Sequence, residues 1–213
     1  MGPNEARRRI ERTRPPTAGA LTVRGLSASI PHRWAFASWL ALATLALLLA
    51  WRAEAPAQPR GETVAPDDAP SSARMTPEGE PGEPLVVEGT VTGAGGEPLA
   101  GASVFAYQTG ADGIYGPRGN RDPRLRVYLR TDENGRYRFE TVQPGSYPGT
   151  RIAAHIHFHT TPRGGEEHVS ELVFEGDPFV SDRMRANPFF TVRPIERGED
   201  GVGRVTYDIE VED

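Results

Sequence analysis

The sequence predicts an all-β fold for residues 85–213, namely an antiparallel β-sandwich of about seven strands. Two observations support this prediction. Apolar and polar residues alternate along short segments that are separated by turn residues, which is the pattern of half-buried strands. No segment of this part has apolar residues at the 3.6-residue spacing of an amphipathic helix. Short strands with frequent turns are typical of two packed antiparallel sheets.

The predicted strands follow one another at short intervals. The first, 85–92, ends in a turn that contains Gly and Pro, and the second covers 102–108. A long excursion with little periodicity, 109–130, leads to a hairpin-type turn with Asn134-Gly135 at its tip. The remaining predicted strands are 136–141, 151–160, 168–175, 188–193 and 203–211.

Three N-terminal segments are predicted to precede the sandwich. Residues 1–33 carry seven arginines against two glutamates, residues 34–51 carry no charge, and residues 52–84 are rich in Pro, Ala and Glu. The uncharged run is predicted to form one hydrophobic helix, about 27 Å long at 1.5 Å per residue. It is either a transmembrane anchor or the apolar part of a signal segment.

The charge distribution predicts an orientation for these segments. Because a basic flank stays on the cytoplasmic side of a membrane, we expect residues 1–33 to be cytoplasmic. Residues 85–213 are then exported, with a periplasmic location and an anchor in the inner membrane. We expect residues 52–84 to form a flexible, disordered linker between the anchor and the sandwich.

The composition excludes several kinds of site. The sequence has no cysteine, which excludes disulfides, thiolate metal ligands and a cysteine nucleophile. Residues 85–213 contain 20 acidic residues against 14 arginines, a net charge of −6. Since nucleic-acid binding requires a basic surface, we expect no nucleic-acid partner.

Two histidines one residue apart are the first candidates for a functional site. In a strand over 151–160, the side chains of His155 and His157 point to the same face, roughly 6.6 Å apart along the strand. Ile156 and Phe158 then face the core. Two imidazoles at this spacing can bind one metal ion through bonds of about 2.0–2.1 Å. The alternative is an exposed strand face that carries histidines, and we expect His159 on the same face to be exposed.

The first half of the predicted sandwich resembles the carboxypeptidase regulatory-like modules, which are generally non-catalytic. The matching segments are Gly89–Thr92, Gly96–Val104, Thr131–Phe139 and Pro144–Tyr147. This resemblance implies a non-catalytic β-sandwich binding module that is tethered to the membrane. It remains an alternative to an enzyme.

The second half adds three motifs in a specific order: Tyr147-Pro148, His155-Ile-His-Phe158 and Phe174-Glu-Gly-Asp-Pro178. Together they resemble the intradiol ring-cleavage dioxygenases, which include the catechol and protocatechuate dioxygenases, and this resemblance covers residue 85 to about 182. It implies a non-haem iron(III) cofactor, Fe(3+), bound by two tyrosinates and two histidines. The positions that match the family ligands are Tyr115, Tyr147, His155 and His157. The resemblance also implies an oxidoreductase that opens a small catechol-type aromatic ring with O2, between the two hydroxylated carbons.

Two positions depart from the family pattern. Members carry an arginine shortly before the first histidine; here Ile152 stands at that position and Arg151 is one place away. Arg151 is the candidate catalytic residue that stabilises charge on the substrate ring, with an exposed strand arginine as the alternative. Glu171 stands where the family has a glutamine, and a carboxylate there repels an anionic catecholate unless it is neutralised. Asp177 is expected to shape a turn and not to contact the metal.

Overall fold

The structure, a computed structural model, describes residues 62–212, and these residues form a β-sandwich. One four-residue helix, α1 (Asp182–Arg185), and one 3-10 turn, Gly119–Arg121, interrupt the strands. The strands are β1 (Ser72–Arg74), β2 (Pro84–Thr92), β3 (Ser103–Gln108), β4 (Leu125–Arg130), β5 (Arg136–Val142), β6 (His155–Thr161), β7 (His168–Phe174), β8 (Phe190–Arg193), β9 (Glu196–Arg197), β10 (Gly203–Thr206) and β11 (Ile209–Glu210).

The strands lie in two sheets. One sheet has the order β1-β5-β2-β10-β9, with β11 also paired to β2, and the other has the order β4-β3-β6-β7-β8. The predicted all-β sandwich is therefore confirmed. The described residues form eleven strands where about seven were predicted. Most of the pairing is antiparallel, as predicted, but β1, β8, β10 and β11 each pair in parallel with a neighbour. The connection from β7 to β8, which contains α1, is long enough to return the chain for a parallel pair.

The hydrophobic core lies between the two sheets. Val87, Phe139 and Val205 of the first sheet and Ile156 and Phe158 of the second belong to one cluster of buried side chains. Such burial of alternate residues on facing sheets is the main favourable contribution to the stability of a sandwich.

A buried amide links the two sheets within this core. Gln108, which ends β3, donates hydrogen bonds to the carbonyls of Val142 (2.8 Å) and Thr109 (3.1 Å). Its amide oxygen accepts one from the hydroxyl of Thr141, at 3.1 Å. A buried amide with its bonds satisfied in this way joins the sheets at the end nearest the candidate site.

Strand β4 lies inside the excursion 109–130, where no strand was predicted. Leu125, Val127 and Leu129 are buried and alternate with more exposed neighbours, which is a period of two. This alternation is visible in the sequence, but the Gly- and Pro-rich residues that precede the strand made the whole segment resemble a loop. Strand β4 is an edge strand of the sheet that carries the histidines.

The predicted flexible linker, 52–84, requires a correction for its described part, residues 62–84. Ala65 and Met75 are buried, and β1 pairs with β5. The guanidinium of Arg130, on β4, donates to the carbonyls of Ala65 (2.7 Å) and Pro66 (3.2 Å) and so holds this segment against the sheet. The composition suggested disorder because the segment has almost no large apolar residues. Strand pairing by β1 and the hydrogen bonds from Arg130 hold it in place.

The predicted cytoplasmic segment 1–33, the predicted hydrophobic helix 34–51 and the start of the linker lie outside the described residues. Within residues 62–212, no helix has the length and apolar character needed to cross a membrane.

Candidate metal centre

Strand β6 presents its three histidines on one face and its apolar residues on the other. Ile156 and Phe158 are fully buried in the core between the sheets, as predicted from the alternation. His155 and His157 are also buried, at 7% and 4% exposure, because loops cover the outer face of this sheet. The alternative of an exposed strand face is therefore wrong.

Two loops bring the candidate tyrosines to this face. Tyr115 lies between β3 and β4, and Tyr147 lies between β5 and β6. The loops are bonded to each other, since the backbone N–H of Gly145 donates to the carbonyl of Gly110 at 2.9 Å. The hydroxyl of Thr109 donates to the carbonyl of Gly145, also at 2.9 Å.

A glycine makes the close approach of these loops possible. Gly113 has φ +77°, and a Cβ atom at this position would lie 2.0 Å from the carbonyl oxygen of Ser146. No other residue type fits there without a shift of the backbone. Gly113 therefore contributes to the position of Tyr115 relative to Tyr147.

The four predicted ligands converge. The Tyr115 Oη atom lies 2.6 Å from Tyr147 Oη and 2.8 Å from His157 Nε2. His155 Nε2 lies 3.1 Å from Tyr147 Oη and 3.0 Å from His157 Nε2. Donors bound to one ion at about 2.0–2.1 Å lie roughly 2.9–3.4 Å apart, so only small shifts would let these four surround one ion.

The protonation of Tyr115, Tyr147 and His155 follows from their burial. Burial raises the pKa of Tyr115, and the nearby Tyr147 raises it further. Burial also raises the pKa of Tyr147, although the hydrogen bond with Tyr115 opposes this. Burial lowers the pKa of His155, as does the adjacent His157. Without a cation the phenols are therefore neutral at pH 7, and His155 is an uncharged imidazole with a lone pair for a metal.

Further contacts orient the two imidazoles. The His155 Nδ1–H donates to the carbonyl of Ala153 at 2.7 Å, and His157 Nδ1 lies 3.1 Å from Glu171 Oε1. The ring of Tyr107 stacks on that of His157, with centroids 4.4 Å apart and an angle of 12° between the planes. In both histidines Nε2 is the nitrogen that faces the cluster.

The sequence raised Glu171 as a source of repulsion, and the structure shows which groups this carboxylate contacts. Burial raises the pKa of this carboxyl group, but the hydrogen bond from His157 and the favourable electrostatic interaction with the two imidazoles outweigh burial and hold the pKa below its ordinary value. His155, His157 and Glu171 also form a group whose potential ligand atoms lie within 4.8 Å of one another. The sequence did not reveal the contact with His157, because it depends on strand register.

An open cleft of about 670 Å³ leads to the four groups. Its apolar lining includes Ile114, Ile152, Met184 and Phe190. Arg151 also lines the cleft, with its guanidinium carbon 6.0 Å from the centre of the Phe179 ring. The structure thus brings the four candidate ligands together and places Arg151 on the wall of the cleft beside them. The roles of these five residues stay predictions.

His159 is buried, so its expected exposure was wrong. Its exposure is 1%, and its ring packs against those of Phe105 (5.8 Å) and Tyr107 (6.0 Å). Its Nδ1 lies 3.1 Å from a carboxylate oxygen of Glu167. The alternation of Phe105 and Tyr107 on β3 was the available sign that this face is covered by aromatic side chains. His159 is not among the four converging groups.

Asp177 shapes a turn, as predicted. Its carboxylate accepts hydrogen bonds from the backbone N–H of Phe179 at 2.8 Å and of Ala154 at 3.0 Å. The second bond ties the turn to the residue that directly precedes His155. Asp177 therefore supports the strand end that carries the first histidine.

The fold and the site define a class: a β-sandwich in which two phenols and two imidazoles meet at the base of a cleft. The family model described as "Dioxygenase" matches residues 57–194 of this sequence. This match begins before β1, in agreement with the packing of the residues that precede β2. The chain belongs to the intradiol dioxygenase family.

Relatives with assigned activities are about one-third identical to this chain. Catechol 1,2-dioxygenase 1 of Acinetobacter lwoffii is 32% identical over 150 residues, which are 61% of this chain and 47% of that enzyme. The protocatechuate 3,4-dioxygenase beta chain of Burkholderia cepacia is 32% identical over 161 residues, which are 69% of this chain and 67% of that one. The chain thus spans about half the length of the first of these relatives.

Solved structures share the fold. The dioxygenase domain of a dioxygenase carbohydrate-binding protein fusion from Streptomyces sp. SirexAA-E is 26% identical, with a TM-score of 0.56. That match covers 74% of this chain and 97% of the Streptomyces chain. Catechol 1,2-dioxygenase from Pseudomonas arvilla C-1 is 22% identical, with a TM-score of 0.59 and coverage of 84% and 68%, respectively.

Proposed function

We propose that this protein is an iron(III)-dependent intradiol dioxygenase, which cleaves a catechol-type aromatic ring with O2 between the two hydroxylated carbons. The observation that carries this proposal is the convergence of Tyr115, Tyr147, His155 and His157 within 2.6–3.1 Å of their neighbours. Membership of the family and the relatives named above support it.

The donor set fits a ferric ion. Two phenolates neutralise most of the charge of a trivalent ion, and their oxygens are the hard donors that such an ion prefers. Because burial raises the pKa of both phenols, they become phenolates only when a cation replaces their protons. When bound, the ferric ion would supply a site for the catechol oxygens and a redox partner that activates the ring towards O2.

The surrounding residues would bind and orient the substrate. The apolar side chains of Ile114, Ile152 and Phe190 offer a surface for an aromatic ring and exclude water from it. Tyr147 is only half-buried and lines the cleft, so its Oη is placed to accept a proton from a substrate hydroxyl. Arg151, on the cleft wall, is proposed to stabilise negative charge that develops on the ring.

The test is reconstitution of the purified protein with ferric iron. Tyrosinate-to-iron charge transfer should give a wine-red protein, and a panel of catechols should cause O2 uptake with formation of ring-opened diacids. A protein that stays colourless and binds no iron would reject the proposal. Iron binding without O2 uptake would favour the alternative, a non-catalytic sandwich module derived from an enzyme.

We also propose that residues 85–213 act outside the cytoplasm and that the N-terminal segment associates with the inner membrane. This proposal rests on the uncharged run 34–51 and its basic flank, for which the positive-inside rule predicts a cytoplasmic N-terminus. Reporters fused after Asp213 test it. A reporter that requires export should be active and a cytoplasmic one inactive, and the opposite result would reject the proposal.

A further inference from the structure

His157 and Glu171 are directly opposite each other on neighbouring strands. The register of β6 and β7 pairs His157 with Glu171, so their side chains share one face of the sheet. His157 Nδ1 lies 3.1 Å from Glu171 Oε1, and the two side chains are only 5% and 9% exposed. A contact between such groups is strong because little water screens it.

The other atoms of the centre determine how this contact acts. His157 Nε2 faces Tyr115 Oη at 2.8 Å, which leaves Nδ1 for the carboxylate. Donation of Nδ1–H to Glu171 sets the tautomer in which Nε2 carries the lone pair. His155 differs, because its Nδ1–H donates to the neutral carbonyl of Ala153. The two imidazoles therefore have unequal partners, one anionic and one neutral.

We propose that Glu171 is a positioning residue that orients His157, makes it the stronger donor of the two imidazoles, and increases the preference of the centre for Fe(3+) over Fe(2+). This inference rests on the proposed ferric function. A carboxylate that accepts the Nδ1–H of a metal-bound imidazole raises the basicity of the other nitrogen. Its negative charge stabilises the ion of higher charge more than the ion of lower charge.

A direct metal bond from Glu171 is the competing role, since its oxygens lie close to both histidines. The contact geometry favours positioning. Glu171 Oε1 contacts Nδ1, whereas the ligand atom that faces the cluster is Nε2. The same contact stabilises the buried carboxylate of Glu171, because the imidazole N–H donates to it.

The test compares Glu171→Gln with wild-type protein, both loaded with iron. Glutamine keeps the shape and an acceptor oxygen but removes the charge. We expect ferric affinity to fall about 10–100-fold, with a smaller loss of ferrous affinity. Each tenfold loss of ferric over ferrous preference raises the reduction potential by about 59 mV, which a redox titration of the charge-transfer band measures.

The chain offers a matched control in Glu167→Gln. Glu167 also lies 3.1 Å from the Nδ1 of a β6 histidine, but that residue is His159, which is not one of the converging groups. We expect wild-type iron affinity and potential in this variant. An equal shift in both variants would mean that general charge near the strand matters and not the contact with His157, which would overturn the inference.

Other outcomes separate this inference from the proposed function. If folded Glu171→Gln has the wild-type reduction potential, the inference is overturned and the proposed function stands. If the folded variant loses its iron completely, Glu171 is a metal ligand, which also overturns the inference. If wild-type protein binds no ferric iron, the proposed function fails and the inference fails with it. Should Glu171→Gln not fold, 15N NMR of metal-free wild-type protein decides: His157 must be the Nδ1–H tautomer, and the Nε2–H tautomer contradicts the inference.

Discussion

The phenolic oxygens of Tyr115 and Tyr147 lie 2.6 Å apart, although the two residues come from separate loops on the outer face of the five-stranded sheet. Both groups have raised pKa values because they are buried. Two neutral phenols in this position share one hydrogen bond and have a second available proton. Without a metal, the two phenols are therefore neutral and hydrogen-bonded to each other.

The first prediction concerns these two oxygens. Tyr115→Phe and Tyr147→Phe should each weaken ferric binding and reduce the charge-transfer absorbance per iron, because each removes one phenolate. The double variant should show no charge-transfer band. Visible spectra recorded at known iron content measure the effect.

Tyr128→Phe is the matched control for the tyrosine variants. Tyr128 stacks on Phe105 at 4.5 Å, in the same aromatic region, but its hydroxyl donates to the carbonyl of Glu62, at 3.1 Å. We expect the wild-type spectrum. A charge-transfer band that survives in the double variant would contradict the assignment of the tyrosines as ligands.

The second prediction concerns the loop that carries Tyr115. Gly113→Ala should destabilise the protein and weaken iron binding, because the new Cβ would lie 2.0 Å from the Ser146 carbonyl oxygen and the loops would have to separate. Gly119→Ala is the control: Gly119 also has positive φ, +66°, but a Cβ there meets nothing within 4 Å. Both variants bear the conformational penalty of about 1 kcal/mol, so the difference between them reports the contact.

Thermal unfolding measures the stability of the two glycine variants, and iron titration measures their affinity for iron. We expect Gly113→Ala to lose both stability and iron affinity relative to Gly119→Ala. Equal behaviour of the two variants would show that the close approach of the loops does not position Tyr115.

Local patterns allowed much of the fold and half of the site to be predicted. The alternation along β6 was sufficient to place His155 and His157 on one face and Ile156 in the core, since the period of a strand is a local property. Tyr115 lies in an irregular loop without such a period, and only the family resemblance pointed to it. The convergence of all four groups depends on how two loops pack together.

The features that the sequence did not reveal depend on contacts between distant residues. The pair His157–Glu171 requires the register of β6 and β7, and the burial of His159 requires the aromatic side chains of β3. The position of residues 62–84 depends on polar contacts with a strand that was itself missed. Composition therefore predicted a linker where the chain is packed.

The third prediction tests how that segment is held. Arg130→Gln should lower the free energy of unfolding by about 1–3 kcal/mol, because the carbonyls of Ala65, Pro66 and Gly101 lose their donor. Arg126→Gln, at a position on the same face of β4, is the control and should cause a smaller loss. Urea unfolding measures both, and equal losses would contradict the role given to Arg130.

The fourth prediction concerns pH and Glu80, which also lies in the predicted linker. The Glu80 carboxylate, with its side chain only 6% exposed, accepts hydrogen bonds from both terminal nitrogens of Arg124, one of them at 2.7 Å. The backbone N–H of Arg124 in turn donates to the carbonyl of Tyr115 at 2.9 Å. The hydrogen bond from Arg124 holds the pKa of Glu80 below its ordinary value of 4.5.

The direction of this shift determines the expected pH dependence. Because the folded-state pKa is the lower one, the ionised Glu80 stabilises the protein above about pH 4.5, and this contribution is lost as the pH falls through the folded-state value. The Glu80→Gln variant has no ionisable group at this position. At pH 7 the free energy of unfolding should therefore be higher for the wild type than for the variant. The difference should be about 1 kcal/mol or less, because Arg124 is partly exposed. It should become smaller at pH 3.

Denaturant unfolding of both proteins at several pH values checks this expectation. Glu175→Gln is the control, because Glu175 also forms a two-bond pair with an arginine, Arg185, but its side chain is 49% exposed. Water and salt screen that pair more strongly, so we expect a smaller difference from wild type at pH 7. If the difference for Glu80→Gln stays constant from pH 7 to pH 3, the stabilisation comes from packing and not from the charge of Glu80. Added salt gives a second check, since it should reduce a charge-dependent difference and leave a packing-dependent one unchanged.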